Sequence, residues 1–113
     1  MQRPWMPFYV GDYLGDTGHL STLQHGAYCL LLFTYWRTGS LPDDDQELAN
    51  IARMTLDEWL LHRPVLKRFF FDGWKHKRVE AELRRHTEIR VKRIAAGAKG
   101  GTVASINRFK KRF

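Results

Sequence analysis

Ten residues, Ala27 to Trp36, constrain this chain more than any others: only Thr34 among them is polar. Ser21-Thr22-Leu23-Gln24 precedes them in a capping-box pattern, with Gln24 placed to reach back to the cap, and Gly39 follows as a C-terminal stop. A helix bounded this way and apolar on nearly every face must be enclosed by the rest of the domain, so it is predicted to be the central buried helix. It is about half the roughly twenty residues that a membrane span requires. Cys29, the single cysteine, lies inside it and is read as a buried structural thiol. A lone cysteine forms no internal disulfide and no cysteine-pair metal site, and it points to a reducing, cytoplasmic compartment. The first residues, Met1 to Trp5, have no apolar stretch behind them and are not read as a secretory signal.

Short-range signals place the other elements. Pro7 to Val10 reads as a short strand, and Gly11, Gly15 and Gly18 break up the loop after it. Asp43, Asp44 and Asp45 favour a helix N-terminus, and Leu48, Ile51 and Ala52 continue it at helical spacing. Thr55-Leu56-Asp57-Glu58 is a second capping box, opening a helix whose apolar stripe is Leu56, Trp59 and Leu60. Pro64 is expected to kink or restart that helix, which ends near Phe69. Asp72-Gly73, between Phe69-Phe70-Phe71 and Trp74 to Val79, reads as a β-hairpin turn. Residues from Glu80 to Ala96 are helical in composition, with Val79, Leu83 and His86 on a core-facing side, and Gly97, Gly100 and Gly101 end the segment. Three helices followed by a hairpin predict a mainly α (α+β) winged helix-turn-helix over residues 1–83. Residues 84–113 are predicted to add a projecting basic C-terminal helix and tail.

Charge is split along the chain. Residues 1–62 hold three basic side chains and eight acidic ones, whereas residues 63–113 hold sixteen basic and four acidic. A one-sided positive field attracts phosphates, so DNA is the expected partner. The expected contacts are Arg53, His62, Arg63, Lys67 and Arg68 on and before the third helix. Lys75, Lys77 and Arg78 follow on the wing, where Lys75 and Lys77 share one strand face and Trp74 turns to the core. Arg84, Arg85, Arg90, Lys92, Arg93 and Lys99 lie on the last helix, and Arg108, Lys110, Lys111 and Arg112 in the tail. Arginine on the third helix suits guanine edges, while the wing and last helix suit phosphate. A solvated helix face remains the plain alternative for each third-helix residue.

Catalysis is not expected, nor a metal or cofactor. His19 and His25 are six apart, unlike the i, i+4 ligand pair of a helical zinc site. Asp43 to Asp45 point about 100° apart in succession on a helix, and Gly97 to Gly101 lack the phosphate-loop spacing. A membrane-surface role is disfavoured because residues 84–113 lack a large aromatic face.

Several stretches occur together: Trp5-Met6-Pro7-Phe8-Tyr9-Val10-Gly11-Asp12-Tyr13-Leu14, His19-Leu20-Ser21-Thr22, Gln24-His25-Gly26-Ala27-Tyr28, Tyr35-Trp36-Arg37, Leu41-Pro42-Asp43-Asp44 and Ala96-Gly97-Ala98-Lys99-Gly100-Gly101. Across roughly residues 4–101 this combination resembles the YdaU-type family of phage and prophage proteins. The resemblance implies the N-terminal winged-helix part of a replication-initiation or replisome-organiser protein, with no catalytic residues to carry over. A protein-interaction module that engages or inhibits a host helicase or defence complex is the competing reading. Pairing of the last helix with its twin in a homodimer is left open.

Overall fold

The computed structural model describes residues 4–99. These form five helices: α1 (Val10–Asp16), α2 (Thr22–Thr38), α3 (Asp45–Ala52), α4 (Leu56–Lys67) and α5 (Lys77–Lys99). The chain divides into two compact units between Leu83 and Arg84, so the first two turns of α5 belong to the first unit.

Local chemistry starts and stops the helices of the first unit. The Ser21 hydroxyl accepts the Gln24 N–H (3.2 Å), and Gln24 Oε1 accepts the Ser21 N–H (3.0 Å), closing the capping box. Gly39 ends α2 in the left-handed conformation (φ 94°), which glycine adopts without a Cβ penalty. Asp44 caps α3, accepting the Glu47 N–H at 2.9 Å. Thr55 and Glu58 form the second box, and the Thr55 N–H and hydroxyl hold the Glu58 carboxyl below its ordinary range. Helix α4 runs through Pro64 without the expected restart; the carbonyl robbed of its bond belongs to Leu60, an exposed residue.

The core lies between α2, α3 and α4. Ala27, Tyr28, Leu31, Leu32, Tyr35 and Trp36 of α2 meet Leu48, Ala49 and Ala52 of α3 and Trp59 and Leu66 of α4. Phe70, Trp74 and Val79 complete it, with Leu83 packed against its edge. The central helix is not wrapped on every side: Phe33 is 52% exposed, and Cys29 is half-buried rather than fully enclosed.

The winged-helix prediction fails. Among the described residues there is no strand; Phe71 and Lys75 form one isolated antiparallel bridge. Asp72 and Gly73 do turn the chain, both at positive φ (43° and 83°). Beyond the turn, however, Trp74 is drawn into the core and His76 caps a helix, so no second strand can extend. His76 Nδ1 accepts the Val79 N–H at 3.3 Å, the bond an asparagine or aspartate side chain usually supplies. Tyr35 braces the same junction, accepting the His76 N–H (3.2 Å) and donating to the Glu80 carboxylate. Lys75 and Lys77 therefore do not share a strand face; Lys77 is the first residue of α5.

The strand expected at 7–10 is absent too. Trp36 Nε1 donates to the Trp5 carbonyl (2.9 Å), tying the N-terminal segment across α2, and Val10 opens α1. Helix α1 forms despite Gly11 and Gly15 because Tyr13 anchors it. The Tyr13 hydroxyl lies 2.7 Å from His25 Nδ1, and Thr17, buried, donates to the Tyr13 carbonyl at 2.6 Å. Gly97, expected to help end the last helix, lies inside α5.

Candidate nucleic-acid interface

The basic residues of the first unit are largely committed to the fold. Arg53 adopts the left-handed conformation (φ 62°) at the end of α3, and its Nη1 donates to the carbonyls of Asn50 (3.2 Å) and Ile51 (3.0 Å). His62 Nδ1 accepts from the Gln24 side-chain amide at 3.1 Å, stitching α4 to α2. Arg63 Nε lies 3.0 Å from Asp45 Oδ1, the oxygen that also accepts the Trp59 indole N–H at 2.9 Å. Lys67 donates to the Gly73 carbonyl and sits 4.2 Å from the centre of the Trp74 ring, a cation–π distance. Lys75 pairs with Asp72 (3.3 Å) across the turn. Arg78 pairs with Asp12 (3.0 Å) and stacks 4.5 Å from the Tyr9 ring. Arg68 and Lys77 are exposed.

The second unit differs. From Arg84 to Arg93, α5 carries Arg84, Arg85, Arg90, Lys92 and Arg93 against the single acid Glu88, and all are exposed. At 3.6 residues per turn, Arg84, Arg85, Lys92 and Arg93 fall on one half of the helix. Thr87, Val91 and Ile94 form a stripe on the other half, with Val91 58% and Ile94 51% exposed. Among the described residues, Arg84, Arg85, Lys92 and Arg93 make no ion pair. Lys99 is the last helical residue, and Arg108, Lys110, Lys111 and Arg112 lie outside the described residues.

Sequence reasoning missed an aromatic cleft of about 400 Å³ in the first unit. Its rings form a stacked column: Tyr13 lies 5.8 Å from Tyr28, which lies 4.6 Å from Phe69, while Phe8 packs 5.1 Å from Tyr13. Asp12, Asp16 and Glu82 line the cleft, with Arg78 the one arginine or lysine there. Glu82 accepts the Tyr9 hydroxyl at 3.0 Å. His76 lies 2.7 Å from the Tyr28 hydroxyl; because its Nδ1 accepts from Val79, its proton sits on Nε2 and is donated to Tyr28. Burial, aided by Arg78, pushes the His76 imidazole below its ordinary value, so it is neutral near pH 7. Burial likewise raises the Tyr13 and Tyr28 hydroxyls, and pushes Tyr35 up to about 12. Only the spacing of Asp12 and Asp16 on one short helix hinted at this site; its other walls come from distant segments.

No group of three or more His, Cys, Asp or Glu side chains that could hold a metal occurs among the described residues. Nor is any helix there long and apolar enough to cross a membrane.

These features define a small helical domain followed by a basic helical segment. Residues 4–84 match the family described as "Protein of unknown function (DUF1376)", and the chain belongs to that family. It is similar to the uncharacterized protein YdaU of Escherichia coli (strain K12), with 46% identity over 97 residues. That alignment covers 83% of this chain and 34% of the relative, so the chain spans about a third of the relative's length. No solved structure matches.

Proposed function

We propose that this chain is a nucleic-acid-binding module of phage or prophage origin, acting in DNA replication initiation or its control in the bacterial cytoplasm. The observation that carries the reading is the exposed basic half of α5, where Arg84, Arg85, Lys92 and Arg93 have no ion-pair partner among the described residues. Unpaired guanidinium and ammonium groups spaced along a helix are suited to phosphates, whose neutralisation releases counterions. Arg90, Lys99 and the basic residues from Arg108 to Arg112 add to the same charge. Arg68, Lys75 and Lys77 supplement it, whereas Arg53, His62, Arg63, Lys67 and Arg78 contribute less because each already has a partner within the fold. In this reading the protein positions itself on the backbone and carries out no chemistry.

A titration against duplex DNA, single-stranded DNA and RNA at two salt concentrations tests it. Six phosphate contacts on duplex DNA give a slope of log affinity against log salt of about −5. Affinity that does not change with salt, or that survives neutralising Arg84, Arg85, Lys92 and Arg93 together, overturns the proposal.

A further inference from the structure

The aromatic cleft of the first unit has the opposite electrostatic character to α5. Its carboxylates (Asp12, Asp16 and Glu82) outnumber its single guanidinium, and His76 adds no charge near neutrality. Phosphates are repelled there, so the cleft does not extend the nucleic-acid surface. Its volume of about 400 Å³ lies within the range of roughly 300–1,000 Å³ typical of ligand sites. The stacked column Tyr13–Tyr28–Phe69, with Phe8 beside Tyr13, gives it an apolar aromatic floor. The ring of Tyr9, whose hydroxyl is joined to Glu82, carries a cation on its face. Aromatic faces attract cations, most strongly where water is partly excluded.

Arg78 demonstrates what this lining accepts. Its guanidinium lies over the Tyr9 ring at 4.5 Å while pairing with Asp12 at 3.0 Å. It leaves Asp16 and Glu82 without a cationic partner among the described ion pairs. Asp16 lines the cleft, and its charge adds to burial in raising the Tyr28 hydroxyl. A second guanidinium entering between Asp16 and Glu82 would meet the same chemistry that Arg78 already satisfies beside Asp12.

We propose that this cleft receives an arginine or lysine side chain of a partner polypeptide, so that the first unit binds protein while α5 is left for nucleic acid. The site stands whether or not α5 binds nucleic acid.

The probe is the dipeptide acetyl-Trp-Arg-amide, titrated into the full chain while the aromatic resonances of Tyr13, Tyr28 and His76 are followed by NMR. Its uncharged isostere, acetyl-Trp-citrulline-amide, is the control. The arginine peptide is expected to shift those rings saturably and to bind at least fivefold more tightly than the citrulline peptide. Asp16→Asn, at an exposed position, should weaken it about threefold to fivefold, the scale of one exposed ion pair. Arg78→Ala should tighten it by freeing Asp12, an effect that a purely structural role for these residues does not produce. Equal binding of the two peptides, no change with Asp16→Asn, or weaker binding to Arg78→Ala overturns the proposal. So does a deoxynucleoside monophosphate that shifts the same rings more tightly than the arginine peptide, which would make the cleft a nucleobase site.

Discussion

Helix α4 and the second-unit part of α5 carry the same kinds of side chain and use them in opposite ways. On α4, Arg63 is tied to Asp45 and Lys67 to the Gly73 carbonyl, both beside the Trp74 ring. On α5, Arg84, Arg85, Lys92 and Arg93 stand exposed without ion pairs among the described residues. A cation is available to a partner only if the fold has not already taken it. Net charge counts both groups alike, so the basic total of residues 63–113 overstates the charge free to meet phosphate in the first unit. The α4 pairs are themselves of modest strength, since Arg63 and Asp45 are each 40% exposed and water screens them. Both cations also lie beside the Trp74 indole, Lys67 4.2 Å and Arg63 5.9 Å from its ring centre.

Removing that indole is the harshest test of the contrast. Trp74→Ala should lower stability by about 3–5 kcal/mol, the range for truncating a buried aromatic. Urea unfolding with an unchanged midpoint would show that Trp74 does not organise this face. Next in size is the loss expected on α5. Neutralising Arg84, Arg85, Lys92 and Arg93 together should flatten the salt slope of DNA affinity by about 3–4 units, at about 0.9 per phosphate contact, and leave the unfolding midpoint in place. The equivalent pair on α4, Arg63→Ala with Lys67→Ala, should do the reverse: lower stability and barely alter the slope. If the two sets behave alike in both assays, the distinction between committed and available cations is wrong.

A smaller effect tests the turn that presents Lys67 with its carbonyl acceptor. Gly73 has φ 83° and nothing within 4 Å of an added Cβ, so Gly73→Ala meets conformational strain without a clash. It should cost about 1–2 kcal/mol, read from the unfolding midpoint. The smallest expected effect is on pH dependence. His76 titrates below its ordinary value of 6.5 in the folded chain, so the unfolded state binds more protons as the pH falls past that value. Its stabilisation is therefore complete above about pH 6.5 and is lost as pH falls through the lowered native value. His76→Asn keeps a capping acceptor for Val79 and should flatten this part of the stability profile. An unchanged profile would mean that another group governs it.

Much of the fold was legible from residues close in sequence. Ser21 with Gln24, Thr55 with Glu58, the acids Asp43 to Asp45 at a helix start, Gly39, and the turn at Asp72-Gly73 all depend on backbone geometry within a few residues, and each is found in place. The wing was not legible. Whether the residues after an Asp-Gly turn extend or coil depends on what receives them, and here Tyr35, 41 residues before His76, and Glu80 favour a helix. Histidine is not among the preferred capping residues, so nothing nearby announced the start of α5.

The candidate site divides along the same line. Its basic half-helix follows from the 3.6-residue repeat and the spacing of Arg84, Arg85, Lys92 and Arg93, so it could be drawn from the sequence once α5 was known to be helical. The aromatic cleft could not, because its walls come from residues 6–17, 28–32 and 69–82, which meet only after α2 has packed. Which cations remained free was likewise settled by partners far along the chain, such as Asp45 for Arg63 and Asp12 for Arg78. Caps and turns are short-range because their bonds close within one turn of backbone. Ion pairs and ring stacks need side chains brought within a few ångströms, and burial of the core brings these together.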